Sequence, residues 1–437
     1  MGRGEELERL RRLLTAGGTV AIAAAGLGGV GKTALAREYG RRYRGDYPAG
    51  IWWLEARETP GERLANFLTE VAIGGWGEPS DSVQTDGQRA QWIYQQWLSR
   101  FPEGNRLIIW DDGSDFQSIR PLLPTDPRFQ VLITTRERWE EADDFQRLDL
   151  EILPPLQAYE LLYRSLHLRA QDPDWIDPRV LAQPQALETV AEWLGYLPLG
   201  LKLVGSFLRL EPDLSLADLY NRLQQERLTN EALTPVQAAF ELSWAKLIAP
   251  EQQLLGLMAL LGLAPVPWDL MESCVEGCRL PRPQRRWWMR WRGDLPEPEQ
   301  WCFLLEPKQL EQARRQLVQL NLVERVAPET YGLHALVREF GRGKLGTKLE
   351  AQGDELRRGV AAAAVKVAKT VPQTVTLGVL QRVGAAVPHL EEVARELTAW
   401  IGDSTVSIQG VTEECGFQAL KIPDWYGLSC FRLRSEG

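Results

Sequence analysis

The first 150 residues alternate between short apolar runs and longer amphipathic runs. A leucine-rich face on residues 4–14 predicts a leading helix, and five apolar runs of strand length follow. Because strands that alternate with helices form parallel sheets covered on both faces, the pattern predicts one α/β domain. The leucines are Leu7, Leu10, Leu13 and Leu14, and the strands are 19–25, 51–55, 106–110, 129–135 and 147–150.

The pattern changes after residue 155. Residues 156–260 read as helices that proline and aspartate interrupt. Between 310 and 340, a helix, two short strands at 322–326 and 331–333, and a second helix predict a winged-helix domain. Residues 348–401 are again helical and rich in alanine, with no repeat at a period of about 34 residues.

The length of 437 residues allows about three domains of ~150 residues. An apolar fraction of 44% and a charged fraction of 25% are typical of globular proteins, and the net charge of -9 does not favour nucleic acid as a partner. We expect a cytoplasmic protein, because the chain shows neither a signal peptide nor an apolar run of membrane-spanning length. Its five cysteines lack C-x-x-C spacing, so we expect reduced thiols and no zinc site.

A glycine-rich segment lies between the first predicted strand, 20–25, and a predicted helix at 34–43. It fits G-x-x-x-x-G-K-[ST], in which backbone N–H groups surround a phosphate at the positive end of the helix. The lysine reaches the β- and γ-phosphates, and the threonine hydroxyl serves Mg²⁺. The alternative is a turn that binds nothing. The predicted nucleotide-binding residues here are Gly26, Gly28, Gly29, Val30, Gly31, Lys32, Thr33 and Ala34.

Two further strands end in residues suited to the same site. "RLIIWDD" ends in Asp111 and Asp112, which can hold the water shell of Mg²⁺ and orient the attacking water. "VLITTR" aims Arg136 at the carboxyl edge of the sheet, where an arginine can distinguish ATP from ADP. An ordinary acidic turn and a surface ion pair are the alternatives.

The order of eight motifs resembles the NB-ARC branch of the STAND NTPases, over roughly residues 1–400. This branch includes plant disease-resistance proteins and animal apoptosome ATPases. The motifs are "MGRGEELERL", "GLGGVGKTALA", "IWWLEA", "LIIWDD", "VLITTR", "LPPLQAYELL", "GYLPLGLKLVGSFLR" and "LHALVREF".

The resemblance implies a role for individual residues. Gly2 and Arg3 would lie beside the adenine, and Pro198 would pack on it. Lys32 would serve the phosphates and catalysis, Thr33 and Asp111 the Mg²⁺, Asp112 the water, and Arg136 the γ-phosphate. His334 would reach the β-phosphate of ADP. The usual Met-His-Asp triplet reads "LHA" here, which weakens the expected lock on the ADP state.

The resemblance also implies a switch: ADP would hold a closed resting form, ATP would favour an open, self-associating form, and slow hydrolysis would reset it. Signal transduction or defence with an unknown protein partner would be its setting. The alternatives are a transcription regulator that binds DNA through the winged helix, an ordinary ATPase or kinase, and a scaffold that binds ADP without cycling. The predicted domains are 1–155 (nucleotide-binding), 156–228 (helical), 229–346 (winged helix), 347–402 (entry to a repeat array) and 403–437 (tail).

Two segments depart from this plan. An insertion at about 279–308 begins "RLPRPQRRWWMRWRGD", whose arginines and tryptophans suit partner contact or, less favoured, nucleic acid. The tail at 403–437 lacks clear periodicity, and we expect a truncated, poorly ordered end. No effector domain is expected before residue 2.

Overall fold

The computed structural model falls into two compact units, one up to Leu242 and one from Ser243 onward. Gly26, residues 280–304 of the predicted insertion and the tail lie outside the residues that the structure describes. The described residues are 3–16, 18–23, 28–56, 83–113, 115–137, 145–166, 177–229, 233–279, 305, 307–346, 350–370 and 383–401.

Five parallel strands form the sheet of the first unit, and the predicted α/β fold is confirmed. The strands are β1 (Thr19–Ala23), β2 (Ile51–Glu55), β3 (Arg106–Gly113), β4 (Phe129–Thr135) and β5 (Phe145–Asp149). Their order across the sheet is β2-β3-β4-β1-β5. β2 and β4 have the predicted bounds. β3 continues to Gly113 instead of ending at residue 110, and β5 lies at 145–149 instead of 147–150.

The described helices that begin in the first unit are α1 (Gly4–Thr15), α2 (Lys32–Arg42), α3 (Asp86–Arg100), α4 (Phe116–Ile119), α5 (Pro155–Leu166), α6 (Pro178–Ala182), α7 (Pro184–Trp193), α8 (Pro198–Leu210), α9 (Leu216–Thr229) and α10 (Pro235–Ala245). Of these, α1 and α2 pack on one face of the sheet, and α3 and α4 pack on the other.

The two faces of β3 show how the core is built. Leu107 and Ile109 pack with leucines of α1 and α2, whereas Ile108 and Trp110 pack with α3, including Trp97. Successive side chains of a strand point to opposite faces, so a sheet covered on both sides reads as a continuous apolar run. This is why the strand was visible in the sequence without polar alternation.

Local sequence fixes where several helices begin. Gly31 precedes α2 at φ 101°, a left-handed conformation that glycine adopts without a steric penalty. Thr85 and Gln88 form a reciprocal capping box at the start of α3. Pro198 occupies the first turn of α8, where its missing N–H costs no hydrogen bond.

The second unit combines helices with a small antiparallel sheet of order β6-β8-β7. The two predicted strands are present, and β6 was missed because two residues carry no periodicity. The assignment as a winged helix stays a prediction. The strands are β6 (Val266–Pro267), β7 (Val323–Ala327) and β8 (Thr330–Leu333). The helices are α11 (Ala249–Leu260), α12 (Trp268–Arg279), α13 (Pro307–Gln319), α14 (Ala335–Leu345), α15 (Glu350–Lys369), α16 (Val387–Glu396) and α17 (Thr398–Ile401).

Among the described residues, we find no helix with the length and hydrophobicity that a membrane crossing requires.

Candidate nucleotide-binding site

The loop between β1 and α2 has the backbone that its glycines predict, as far as it is described. Gly29 and Gly31 have φ values of 81° and 101°, in the region that disfavours other residues. α2 begins at Lys32, two residues earlier than the predicted start at residue 34. Its first N–H groups therefore directly follow the turn, as anion binding at a helix N-terminus requires.

Lys32 is largely buried, with 9% of its surface exposed. Burial lowers the pKa of its ammonium, the nearby Arg136 lowers it further, and Asp112 and Asp111 oppose this. A cation held out of water in this way gains from an anion that replaces its lost hydration. A phosphate group beside Lys32 would supply such an anion.

Asp111 joins residues from three elements at the carboxyl edge of the sheet. Thr33 of α2 donates its hydroxyl to Asp111 Oδ1 at 2.9 Å, and Thr134 of β4 donates to the same oxygen at 2.5 Å. Burial raises the pKa of Asp111, while the Thr134 and Thr33 hydroxyls lower it. Hydroxyl and carboxylate oxygens are the donors that Mg²⁺ prefers, so Thr33 and Asp111 fit the predicted metal site.

Asp112 and Arg136 form an ion pair at the same edge. Arg136 Nε lies 3.0 Å from Asp112 Oδ1, and Arg136 Nη2 lies 3.4 Å from Oδ2. The backbone of Asp112 is left-handed, with φ 60°, where the pairing of β3 with β4 shifts between Trp110 and Gly113. Its N–H donates to Thr134 Oγ1 at 2.9 Å.

Thr134 was not predicted as a site residue. Its hydroxyl serves both acids, since it donates to Asp111 and accepts from the backbone of Asp112. The only sequence signal was its place at the end of a buried strand that precedes Arg136. That signal did not distinguish it from Thr135, whose hydroxyl accepts from the N–H of Glu137.

Arg3 and the first turn of α8, which contains Pro198, are both connected to the glycine loop. The Arg3 guanidinium donates to the carbonyl of Glu151 at 2.6 Å and to that of Val30 at 3.4 Å. Pro198 begins α8, and the next residue, Leu199, donates its N–H to the carbonyl of Gly29 at 3.4 Å. The predicted contacts of Arg3 and Pro198 with an adenine stay predictions.

His334 lies in the second unit, where it caps α14. Its Nδ1 accepts a hydrogen bond from the N–H of Leu336 at 3.2 Å. In a neutral imidazole with an accepting Nδ1, the proton is on Nε2.

The structure brings Lys32, Thr33, Asp111, Asp112 and Arg136 together within the first unit. Gly28, Gly29, Val30 and Gly31 are described in the loop, Ala34 lies in the first turn of α2, and Gly26 lies outside the described residues. The ligand roles of all these residues stay predictions.

Comparisons with known proteins show what the whole chain is similar to. The chain matches no protein-family model. It is 29% identical over 344 residues to the regulatory protein AfsR of Streptomyces griseus, which covers 76% of this chain and 31% of that protein. The AfsR of Streptomyces coelicolor is 28% identical over 338 residues, covering 75% of this chain and 29% of its own. The chain thus spans only about a third of the length of these relatives.

One solved structure extends over nearly the whole chain. It is the signal transduction ATPase with numerous domains (STAND) with a tetratricopeptide repeat sensor from Pyrococcus horikoshii, at a TM-score of 0.54 and 17% identity. The alignment covers 98% of this chain and 52% of that protein. The chain shares the fold of that protein. Membership of the NB-ARC branch stays a prediction.

Proposed function

We propose that the chain is a switch that binds ADP or ATP with Mg²⁺ at the loop 26–34. The observation that carries the proposal is the meeting of Thr33 and Asp111, at 2.9 Å, beside the buried Lys32. Residues 78 positions apart in the chain thus supply the hydroxyl, carboxylate and ammonium that a Mg²⁺-bound polyphosphate requires.

Hydrogen bonds also connect the loop to the segments that follow β5, so binding at the loop can affect the helices there. Leu199 of α8 bonds to Gly29, and Arg3 connects Val30 with Glu151, which lies between β5 and α5. A ligand that moves the loop therefore changes the hydrogen bonds of these segments. We infer that this is how a bound nucleotide sets the conformation of the helices.

The two nucleotides would be distinguished at two points. Arg136 would bind the γ-phosphate of ATP, whereas the Nε2–H of His334 would bind the β-phosphate of ADP. A ligand that changes a 1:99 equilibrium to 99:1 must bind the favoured form more tightly by about 5.5 kcal/mol. Charge-assisted hydrogen bonds at Arg136 would supply part of that difference.

Hydrolysis would reset the switch. A water molecule would attack the γ-phosphorus, the bond to the β–γ bridging oxygen would break, and ADP and phosphate would leave. The proton of the water would pass to Asp112 and then to the phosphate. Mg²⁺, held by Thr33 and Asp111, would neutralise the phosphate charge. We expect slow turnover, since an arginine finger supplied to the transition state contributes about 10³ to 10⁵ in rate and the sequence identifies no such residue beside Arg136, whose proposed role is to recognise bound ATP.

The setting of the switch is proposed as cytoplasmic signalling, with self-association in the ATP form and an unknown protein partner. A second candidate is a regulator of transcription that binds DNA through 229–346. The names of the Streptomyces relatives, both regulatory proteins, favour a regulatory output without naming DNA. This candidate predicts duplex binding that weakens steeply with salt.

The test is to identify the nucleotide that purifies with the chain, exchange it for a non-hydrolysable ATP analogue and follow the particle mass. We expect ADP in the purified protein, a larger mass after exchange, and no bound nucleotide in Lys32→Ala.

His334→Ala should shift the bound nucleotide from ADP toward ATP. His334→Asn is the matched variant, because asparagine keeps the helix cap while it removes the imidazole. Wild-type occupancy in both His334 variants would contradict the ADP role of His334.

A further inference from the structure

The ion pair between Asp112 and Arg136 joins two residues whose proposed tasks differ. Asp112 is the acid that would direct the attacking water, and Arg136 is the cation that would recognise the γ-phosphate. In the structure the guanidinium contacts both carboxylate oxygens, at 3.0 and 3.4 Å. A guanidinium that faces a carboxylate with two of its nitrogens cannot present the same two to a phosphate.

The backbone of Asp112 keeps the carboxylate in this position. A non-glycine residue at φ 60° is strained, although aspartate and asparagine tolerate it better than most residues. The hydrogen bond from its N–H to Thr134 Oγ1 holds that conformation. Backbone strain is found most often at functional sites, so strain at Asp112 supports a functional role for the position of its carboxylate.

The pair is also weak enough to open. The side chains of Arg136 and Asp112 are 40% and 23% exposed, and ion pairs in such surroundings contribute little to stability. A γ-phosphate carries more negative charge than a carboxylate and has three acceptor oxygens. It would therefore displace Asp112 from Arg136 at a small cost.

We propose that the Asp112–Arg136 pair is a latch that makes release of the catalytic acid depend on γ-phosphate recognition. This inference rests on the proposed nucleotide function. With ADP the latch stays closed, and Asp112 remains neutralised by Arg136. With ATP the γ-phosphate takes Arg136, and the Asp112 carboxylate is then released from the guanidinium. The acid is thus activated only when there is a γ-phosphate to hydrolyse.

The latch predicts a specific energetic coupling. In Asp112→Asn, the γ-phosphate no longer has to displace a carboxylate, so affinity for the ATP analogue should rise roughly two- to fivefold relative to that for ADP. Asparagine suits the left-handed backbone at position 112, and Asp112→Gly, which removes the side chain, should give the same result. In the Arg136→Gln background, neither substitution should change the ratio of the two affinities.

The experiment is a double-mutant cycle of Asp112→Asn and Arg136→Gln, with both affinities measured by competition against a fluorescent ADP. Asp149→Asn is the charge control, because Asp149 ends β5 at the same edge and pairs with Arg147. The latch is contradicted if Asp112→Asn changes both affinities equally, if the effect persists in Arg136→Gln, or if Asp149→Asn reproduces it. A wild-type chain that binds neither nucleotide would instead contradict the proposed function itself.

Discussion

Gly29, in the loop before α2, packs directly against Leu199 in the first turn of α8. A Cβ added at Gly29 would lie 3.0 Å from the Cβ of Leu199, and the two backbones share a hydrogen bond. The conformation of the loop and the position of α8 therefore depend on each other. A side chain at this point would disturb both.

Gly29→Ala should accordingly lower both stability and nucleotide affinity. The left-handed φ of 81° costs a residue with a Cβ about 1 to 2 kcal/mol, and the contact with Leu199 adds to it. Adding Leu199→Ala removes the contacts with Cδ2 at 3.3 Å and Cγ at 3.7 Å but keeps the Cβ at 3.0 Å, so it should recover only a small part of the loss. Urea unfolding and nucleotide titration measure the two effects. Gly45→Ala is the control, since nothing lies within 4 Å of a Cβ there. Equal behaviour of Gly29→Ala and Gly45→Ala would refute the packing argument.

Thr134→Val should destabilise the first unit, because it removes the hydroxyl that serves both acids. The change leaves the half-buried Asp111 carboxylate and a backbone N–H short of one partner each, at a cost of up to about 1 to 3 kcal/mol for each group. Thr134→Ser keeps the hydroxyl and should retain most of the stability. Denaturant midpoints of the three proteins decide the matter. A serine variant as unstable as the valine variant would mean that the methyl group of Thr134, and not its hydroxyl, stabilises the first unit.

Asp111→Asn should lower the affinity for ATP in Mg²⁺ without lowering the stability of the fold. Loss of the carboxylate should lower the affinity for ATP in Mg²⁺ by about 10- to 100-fold, the usual loss for a residue that acts through the water shell. The asparagine oxygen can still accept from Thr33 and Thr134, and a half-buried charge is removed, so stability without nucleotide should not fall. Titrations with Mg²⁺ and with EDTA provide the comparison. An equal loss of affinity under both conditions would argue against the metal role.

Acid should destabilise the second unit through His389. Burial lowers the pKa of this imidazole to about 4, and its Nε2 lies 3.2 Å from the carbonyl of Pro265. Since the unfolded chain takes up a proton at a higher pH than the folded one, stability is fully present above pH 6.5 and falls as the pH drops from 6.5 toward 4.

The size of the effect at pH 5 should be about 2 kcal/mol relative to neutral pH. His389→Gln keeps a donor for Pro265 but does not titrate, so its unfolding free energy should change less between pH 7 and pH 5. Urea unfolding at the two pH values measures the difference. A glutamine variant with the same loss in acid would exclude His389 as the cause.

The apolar runs predicted the sheet well, because a strand buried on both faces is continuously hydrophobic. β2 and β4 were bounded correctly. The site was predicted only as residue types at strand ends. The shift in β3 that turns Asp112 toward Arg136 depends on pairing with β4, which leaves no local signature. The hydrogen bond between Arg3 and Glu151 joins residues 148 positions apart, so no sequence window contains both.

The central claim is that the loop before α2 binds a nucleotide through Lys32, and calorimetry on the nucleotide-free whole chain tests it most directly. Titration with ADP and with a non-hydrolysable ATP analogue in Mg²⁺ should give one site per chain for each ligand, and Lys32→Ala should abolish the heat. The absence of heat from the wild type with both ligands, or an unchanged isotherm in Lys32→Ala, would contradict the account.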